Sequence, residues 1–289
     1  MPIRVLVGYD GSPAASAAIE VGARLFPRAQ ASIAHLWIPP FASTSLRQRL
    51  WSGTSHANEF VEAVEREGQR EAERTAAVGV TLAGAAGWDA EPLVVRSYGG
   101  EGLLLTELAE KIDPDLVLVG SRGLGGAQAI LGSVSDMVVH YSPRPVLVVP
   151  HPLLIAEWAA LENGPVLVGF DGSPGARTAL ETAARLFPSR VLTLVTVDGD
   201  SSTIPSQVGD RAVTRLHVPG DGGAGRTVAR ALAGTARSEA AAALAVGSRG
   251  RSAVKEILLG SVAMATLHHA YRPVLVVPAA VPVRPDRTE

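Results

Sequence analysis

The chain contains the same stretch of sequence twice, and this repetition limits the folds that it can adopt. Val5–Pro27 reads VLVGYDGSPAASAAIEVGARLFP, and Val166–Pro188 reads VLVGFDGSPGARTALETAARLFP, 161 positions later. A second motif, RPVLVVP, occurs in the same order, at Arg144 and again at Arg272. Repeats of this length in a fixed order indicate two tandem copies of one structural unit.

The repeats predict one domain at each end of the 289-residue chain. We expect a first domain over residues 1–150, a linker over 151–164 and a shorter second domain over 165–289. Each domain is long enough to enclose a hydrophobic core of its own. The linker carries apolar residues, including Trp158, so we expect a packed segment or a short helix there.

Each copy alternates short, wholly apolar strands with helices. Strands that are apolar on both faces favour a parallel sheet that is covered by helices on both sides. The sequence therefore predicts two tandem α/β domains of the doubly wound type. The second copy is about 34 residues shorter in its middle and lacks the polar loop and the charged helix predicted near Ala57–Ala77.

The turn that follows the first strand has the sequence Asp-Gly-Ser-Pro in both copies, with Asp10 in the first and Asp171 in the second. Ligands of open parallel sheets bind beyond the carboxyl ends of the strands. If the first and fourth strands are neighbours, each aspartate lies at such a site and could bind a ribose hydroxyl or a metal ion that accompanies a triphosphate. The alternative is an Asx-turn, in which the carboxylate only accepts from its own backbone.

The turn that follows the fourth strand is rich in glycine. Glycine lets backbone N–H groups approach an anion closely, and a helix that opens at Gly-Ser-Val adds unpaired donors. The pattern indicates a phosphate-binding loop, with a plain tight connection as the alternative. The residues concerned are Gly120, Gly123, Gly132, Ser133 and Val134 in the first copy and Gly247, Gly250, Gly260, Ser261 and Val262 in the second.

The glycine spacing of the second copy resembles the ATP-binding signature of the universal stress protein family. Two residues separate Gly247 from Gly250, and nine separate Gly250 from Gly260 and Ser261. The VGxDGSP and RPVLVVP motifs are similar to that family as well, so the resemblance covers nearly the whole chain. It implies five-stranded sheets of order 3-2-1-4-5 that pair through their last strands, within the chain or between two chains as a homodimer.

The resemblance also implies a ligand and a function. An adenine nucleotide, ATP with or without magnesium, would place its base against Leu36 and Val197, its polar contact on Asp10 and Asp171, and its phosphates on the glycine-rich turns. The implied protein is an ATP-binding stress-response module that regulates without catalysis. Two alternatives stay open: a structural or interaction protein of the same fold that binds no nucleotide, and a slow ATP hydrolase.

The two copies depart from the signature in different ways. Only eight residues separate Gly123 from Gly132 in the first copy, so we expect a reshaped phosphate loop there. The second copy lacks the middle helix, so we expect a more open cleft. We therefore expect unequal occupancy of the two sites.

The composition argues against several other classes of protein. The chain has no cysteine, which removes disulfides and thiolate metal sites and fits a reducing compartment such as the cytoplasm. A net charge of −2 without a Lys/Arg cluster offers no surface for nucleic acid, and no apolar run is long enough to span a membrane. No Ser/His/Asp arrangement repeats between the copies, so we expect no enzyme and no catalytic residue. The histidines form no HExxH motif, so we expect no metal site of the protein's own.

Overall fold

The computed structural model describes residues 2–40, 57–121, 131–198, 204–220, 225–249 and 259–279. Helices and strands alternate in both copies. The first copy contains β1 (Arg4–Gly8), α1 (Pro13–Leu25), β2 (Gln30–Trp37), α2 (Ala57–Ala85), β3 (Asp89–Arg96), α3 (Glu101–Ile112), β4 (Leu116–Gly120), α4 (Ser133–Tyr141) and β5 (Val146–Val149). After the linker helix α5 (Ile155–Asn163), the second copy contains β6 (Val166–Gly169), α6 (Pro174–Leu186), β7 (Leu192–Val197), β8 (Gln207–Val208), β9 (Arg211–Ala212), β10 (Thr214–Val218), α7 (Gly225–Ser238), β11 (Ala243–Gly247), α8 (Ser261–His269) and β12 (Val274–Val277).

The main strands of both copies form one ten-stranded sheet, in the order β10-β7-β6-β11-β12-β5-β4-β1-β2-β3. Numbered within its own copy, each half has five parallel strands in the order 3-2-1-4-5, so the predicted fold class is confirmed. The halves meet at β5 and β12, which pair antiparallel with Leu147 opposite Leu275. This is the intrachain pairing through the last strands that the family resemblance implied.

The same pairing corrects the expectation of a homodimer through the last strands. Besides pairing with each other, β5 pairs with β4 and β12 pairs with β11. Both hydrogen-bonding edges of each last strand are therefore occupied within the chain. Because strand addition needs a free edge, a second chain cannot add there while this sheet is intact.

The sheet carries one large apolar cluster on each face. On one face the cluster joins α1, α2 and α6 to the linker helix, whose Leu161 is fully buried. On the other face it joins α3, α4, α7 and α8, for example through Leu105 and Leu232. The expected packing of the linker is thus confirmed, while the domain limits at residues 150 and 165 stay a prediction.

The copies also touch through the C-terminal ends of α1 and α6. Phe26 and Phe187 are equivalent residues, each only 2% exposed, and their ring centroids lie 5.0 Å apart. The guanidinium of Arg190 donates to the carbonyl oxygens of Leu161 at 2.5 Å and Gly164 at 3.0 Å. A second contact, independent of the strand pairing, therefore holds the halves and the linker together.

The charged helix α2 is longer than the sequence pattern predicted, ending at Ala85 rather than Ala77. Its last turns include Gly79, which approaches the sheet closely. A methyl group at Gly79 would lie 2.7 Å from Ile33 Cγ2 and 2.8 Å from Tyr9 Cδ1. Glycine disfavours helices in isolation, so tertiary packing supports the helix at Gly79. The helix ends at a glycine turn, in which Gly87 has a φ of +91° and Trp88 N donates to Ala83 O at 3.0 Å.

The second copy fills the place of α2 with a short hairpin. Among the described residues between β7 and β10 there is no helix, and β8 and β9 pair antiparallel. In the first copy the indole of Trp88 donates to the carbonyl of Phe26 at 2.8 Å. In the second copy Arg211 of the hairpin donates to the carbonyl of Phe187 at 2.8 Å, and Ile204 is buried in the core beside it. The hairpin thus satisfies the same backbone group.

The outer strand of the second copy, β10, has a polar residue where the corresponding strand of the first copy has an apolar residue beneath α2. Val94 of β3 lines the space beneath α2 and is half-buried. By sheet register, the equivalent residue of β10 is His217, which is exposed. Because His217 is polar, the missing helix leaves no apolar side chain exposed at this position.

We expect Phe26→Ala and Phe187→Ala each to lower the free energy of unfolding by roughly 3–5 kcal/mol, because each removes a buried ring. The double variant should lose less than the sum of the two, by about 0.5–1.5 kcal/mol, since the rings contact each other. Urea denaturation measures all three. As a control, Phe26→Ala combined with Leu267→Ala on the opposite face should be additive. Additive losses for the two phenylalanines would contradict the contact.

Candidate functional site

The predicted site residues that the structure describes come together in each copy at the carboxyl ends of three neighbouring strands. β1 lies between β2 and β4, so the turn that contains Asp10 is flanked by Leu36 near the end of β2 and Gly120 at the end of β4. The condition set by the sequence, that the first and fourth strands are neighbours, is met. The second copy repeats the arrangement across β7, β6 and β11 with Val197, Asp171 and Gly247.

The two candidate sites lie at opposite edges of the sheet. β5 and β12 are antiparallel, and the strands of each half run parallel to its own last strand. The carboxyl ends of the two halves therefore point in opposite directions. Two ligands cannot touch each other, and any coupling between them has to pass through the body of the protein.

The turn after the first strand is an Asx-turn that starts the first helix. The Asp10 carboxylate accepts a hydrogen bond from Ser12 N at 2.9 Å, and Gly11 between them has a φ of +80°. The Ser12 hydroxyl in turn accepts from Ala15 N at 3.1 Å and caps α1. The local alternative raised by the sequence is thus present in the structure, and a ligand role for the aspartates stays a prediction. Asp171, Gly172, Ser173 and Ala176 repeat each feature in the second copy.

The glycines at the ends of β4 and β11 have a packing role. A methyl group at Gly120 would lie 2.8 Å from the backbone carbon and oxygen of Ala14. One at Gly247 would lie 2.6 Å from the carbonyl oxygen of Gly175. Because the first helix of each copy crosses so close to the strand end, only glycine fits at these two positions whatever ligand is bound.

The last helix of each copy begins differently from the first. α4 and α8 have Gly132 and Gly260 at their N-caps, and neither helix has a side-chain acceptor there. In an α-helix the first backbone N–H groups have no partner within the helix. These donors therefore face the carboxyl edge of the sheet without a side-chain cap, which is the arrangement that binds phosphate in many proteins.

The two ends of the glycine-rich turn are tied together in the same way in both copies. Gly132 N donates to Ser121 O at 2.7 Å, and Gly260 N donates to Ser248 O at 2.6 Å. The helix start is thus held against the strand end despite the difference in loop length. Gly123 and Gly250 lie outside the described residues, as does the expected reshaping of the first loop. Of the remaining predicted contacts, Ser133 and Ser261 are exposed, whereas Val134 and Val262 are half-buried.

The residues predicted to contact adenine lie on the same face as the last helices. Leu36 and Val197 are both half-buried and pack against the cluster that contains α4 and α8. Each therefore presents an apolar surface at the strand end next to the phosphate-binding arrangement. This placement fits the predicted contact, which stays a prediction.

Within the described ranges, no group of three or more His, Cys, Asp or Glu side chains could hold a metal ion. Each carboxyl edge offers the aspartate of its first turn, and the second edge also has Asp198 after β7, whose carboxylate accepts from Gly220 N at 2.6 Å. Magnesium is commonly held by one or two carboxylates together with substrate phosphates. The residues therefore fit magnesium only as a companion of a bound nucleotide.

In the part of the chain that the structure describes, no helix has the length and apolar character needed to cross a bilayer.

The sequence model of the universal stress protein family matches residues 1–150 and 223–278. The chain belongs to this family. A universal stress protein of Mycolicibacterium smegmatis is 28% identical over 94% of this chain and 96% of its own length. One from Mycobacterium tuberculosis is 31% identical, over 57% of this chain and 62% of its own length. The crystal structure of a universal stress protein from Archaeoglobus fulgidus has a TM-score of 0.66 at 20% identity, covering 96% of this chain and 98% of its own, so it shares the fold.

Arg226 lies near the second site of this universal stress protein and was not predicted from the sequence. Gly225, the first residue of α7, lies so close to Ser261 that a methyl group at 225 would overlap the serine side chain. Arg226 is the next residue of α7 and therefore lies beside the start of α8. Arg226 belongs to no repeated motif, and its helix starts at a different place in each copy, so the sequence carries no signal for it.

We expect Gly247→Ala to lower the free energy of unfolding by about 1–3 kcal/mol, because the new methyl group overlaps the backbone of α6. The matched control is Gly234→Ala within α7, where a methyl group would meet no atom within 4 Å. That change should raise stability by roughly 0.5–1 kcal/mol through helix propensity. Urea denaturation of the unliganded protein measures both. Equal effects of the two substitutions would contradict the packing role of Gly247.

Proposed function

We propose that this universal stress protein binds ATP at the carboxyl edge of each copy and acts as a non-catalytic regulatory protein. The observation that carries the proposal is the start of α4 and α8, where a glycine replaces the serine cap of α1 and α6. The contrast recurs in both halves and falls at the position where the family resemblance implies phosphate. We expect a regulatory protein of this kind to act in the cytoplasm.

The phosphates would lie against the first turn of the last helix. In the second copy the donors would be the backbone N–H groups of Ser261 and Val262, with the serine hydroxyl as a further donor. The positive end of the helix dipole adds to the attraction. Ser133 and Val134 would play the same part in the first copy.

The nucleoside would lie across the middle of each carboxyl edge. Adenine would contact Leu36 in the first copy and Val197 in the second, which are half-buried apolar side chains. The aspartate of the Asx-turn accepts a backbone hydrogen bond through Oδ1. A carboxylate has about four acceptor positions, so the same group could also accept from ribose or bind magnesium at the phosphates.

The proposal favours binding over hydrolysis. An ATPase needs a group that orients or activates the attacking water and a charge that stabilises the transition state. The only acidic residue that the first turn brings to each site already holds its own backbone turn. The uncapped glycine start recurs in both copies at the place where the family resemblance implies phosphate, and this favours nucleotide binding over a purely structural protein.

We expect Ser261→Asp to weaken ATP binding to the second copy by roughly tenfold or more, because its carboxylate repels phosphate. Ser133→Asp should do the same in the first copy. Both residues are exposed at the first position of a helix, where an acidic side chain favours folding. Isothermal titration with Mg-ATP, after removal of carried-over nucleotide, measures each site.

The matched controls are Ser261→Asn and Ser133→Asn, which are close in size to aspartate but neutral. They should retain binding. The unaltered chain should give two sites of unequal affinity, each aspartate variant one, and the double aspartate variant none. Failure of the unaltered chain to bind ATP, or full binding by the double aspartate variant, would refute the proposal.

We expect ATP to stay intact during long incubation with the protein, as measured by phosphate release. The matched variant is Asp10→Asn with Asp171→Asn, since asparagine keeps an Asx-turn but removes the charge. Phosphate release by the unaltered protein that stops in this variant would instead support the slow hydrolase.

A further inference from the structure

The helix before the fourth strand starts one turn earlier in the second copy than in the first. Leu105 of α3 and Leu232 of α7 occupy the same place, since each lies against the glycine that ends the first strand, Gly8 or Gly169. Counting back from these leucines, the start of α7 at Gly225 corresponds to a residue three positions before the start of α3. The added turn lies at the carboxyl edge of the second half.

The added turn brings positive charge to that edge. By the same alignment, Arg226 takes the place of Gly99 and Arg230 the place of Leu103. The two arginines are four residues apart, so they lie on one side of α7. Within the part of the chain that the structure describes, neither forms an ion pair or a hydrogen bond with a carboxylate.

The last turn of α8 also lies within this positive field. Partial burial, and then the charges of Arg230, Arg226 and His268, lower the pKa of His269. In the first copy, an acidic group balances this surface: His140 Nδ1 lies 3.5 Å from the carboxylate of Asp136. The residue equivalent to that aspartate in the second copy is Met264. The second copy has therefore gained cations and lost an anion along the same pair of helices.

We propose that Arg226 binds the outer phosphates of the nucleotide in the second site and makes that site selective for phosphorylated ligands over the nucleoside. This inference rests on the proposed function, and it names the residue that sets the ligand class of one of the two sites. The first site has no cation at the equivalent position. The two halves of one chain therefore differ in how strongly they select for phosphate.

The geometry supports this role through the contact between Gly225 and Ser261. The start of α7 lies against the first residue of α8, so Arg226 follows directly on the backbone that meets the proposed phosphate donors. Arginine presents several N–H groups in a planar fork that matches phosphate oxygens. Arg230, one turn further along, adds to the attraction without a second contact at the helix start.

The test compares Arg226→Gln with Arg237→Gln, in a chain that also carries Ser133→Asp so that only the second site is titrated. Arg237 lies in the last turn of the same helix, so its substitution removes the same charge from the far end. Affinities for ATP, ADP and adenosine are measured by isothermal titration. Arg226→Gln should weaken ATP binding about tenfold, weaken ADP binding less and leave adenosine within twofold. Arg237→Gln should leave all three within twofold.

A second readout reports on the charge around Arg226 and Arg230. ATP should raise the pKa of His269, followed by NMR, because phosphate charge offsets the arginines, and adenosine should not. If Arg226→Gln binds ATP as tightly as the parent chain, or if both substitutions weaken it equally, the inference is overturned while the proposed function stands. If the parent chain binds none of the three ligands, the proposed function fails and the inference fails with it.

Discussion

The antiparallel pairing of β5 with β12 is the interaction on which the rest of the architecture depends. It joins two five-stranded sheets into one and buries the edge of each last strand. Without this pairing, each last strand would be an edge strand of a five-stranded sheet and open to pairing with another chain. The pairing also fixes the direction of everything else, since it turns the carboxyl edges of the halves away from each other. The contact between Phe26 and Phe187 then closes one face of the same junction.

Much of this fold can be predicted from the sequence, because its signals are local or repeated. The apolar strands, the serine caps at Ser12 and Ser173 and the repeated motifs are sufficient for the element order. The continuation of α2 beyond Ala77 could not be predicted, since Gly79 disfavours a helix in isolation and is accommodated by its close fit to the sheet. The hairpin that replaces α2 could not be predicted either. Its Arg211 performs the same task as Trp88 with a different side chain, so no sequence match links them.

The candidate site divides in the same way. The turn residues and helix starts were predicted at the correct strand ends, and the neighbouring position of the first and fourth strands brings them together. The glycines of the motif nevertheless serve two different purposes. Gly120 and Gly247 are fixed by the close approach of a helix, whereas Gly132 and Gly260 leave helix donors uncapped. Arg226 was missed because its position beside the site depends on where α7 starts, and only the structure shows that.

The closed junction between the halves has a consequence for how the copies can change. Two separate chains that pair through their last strands come apart on dilution, and a change in one sequence alters both partners at once. Here the partner is tethered, so its effective concentration stays high at any amount of protein in the cell. Each half always pairs with the other half of its own chain, whose sequence differs from its own. One half can therefore lose a helix or gain a cationic turn without imposing that change on the other.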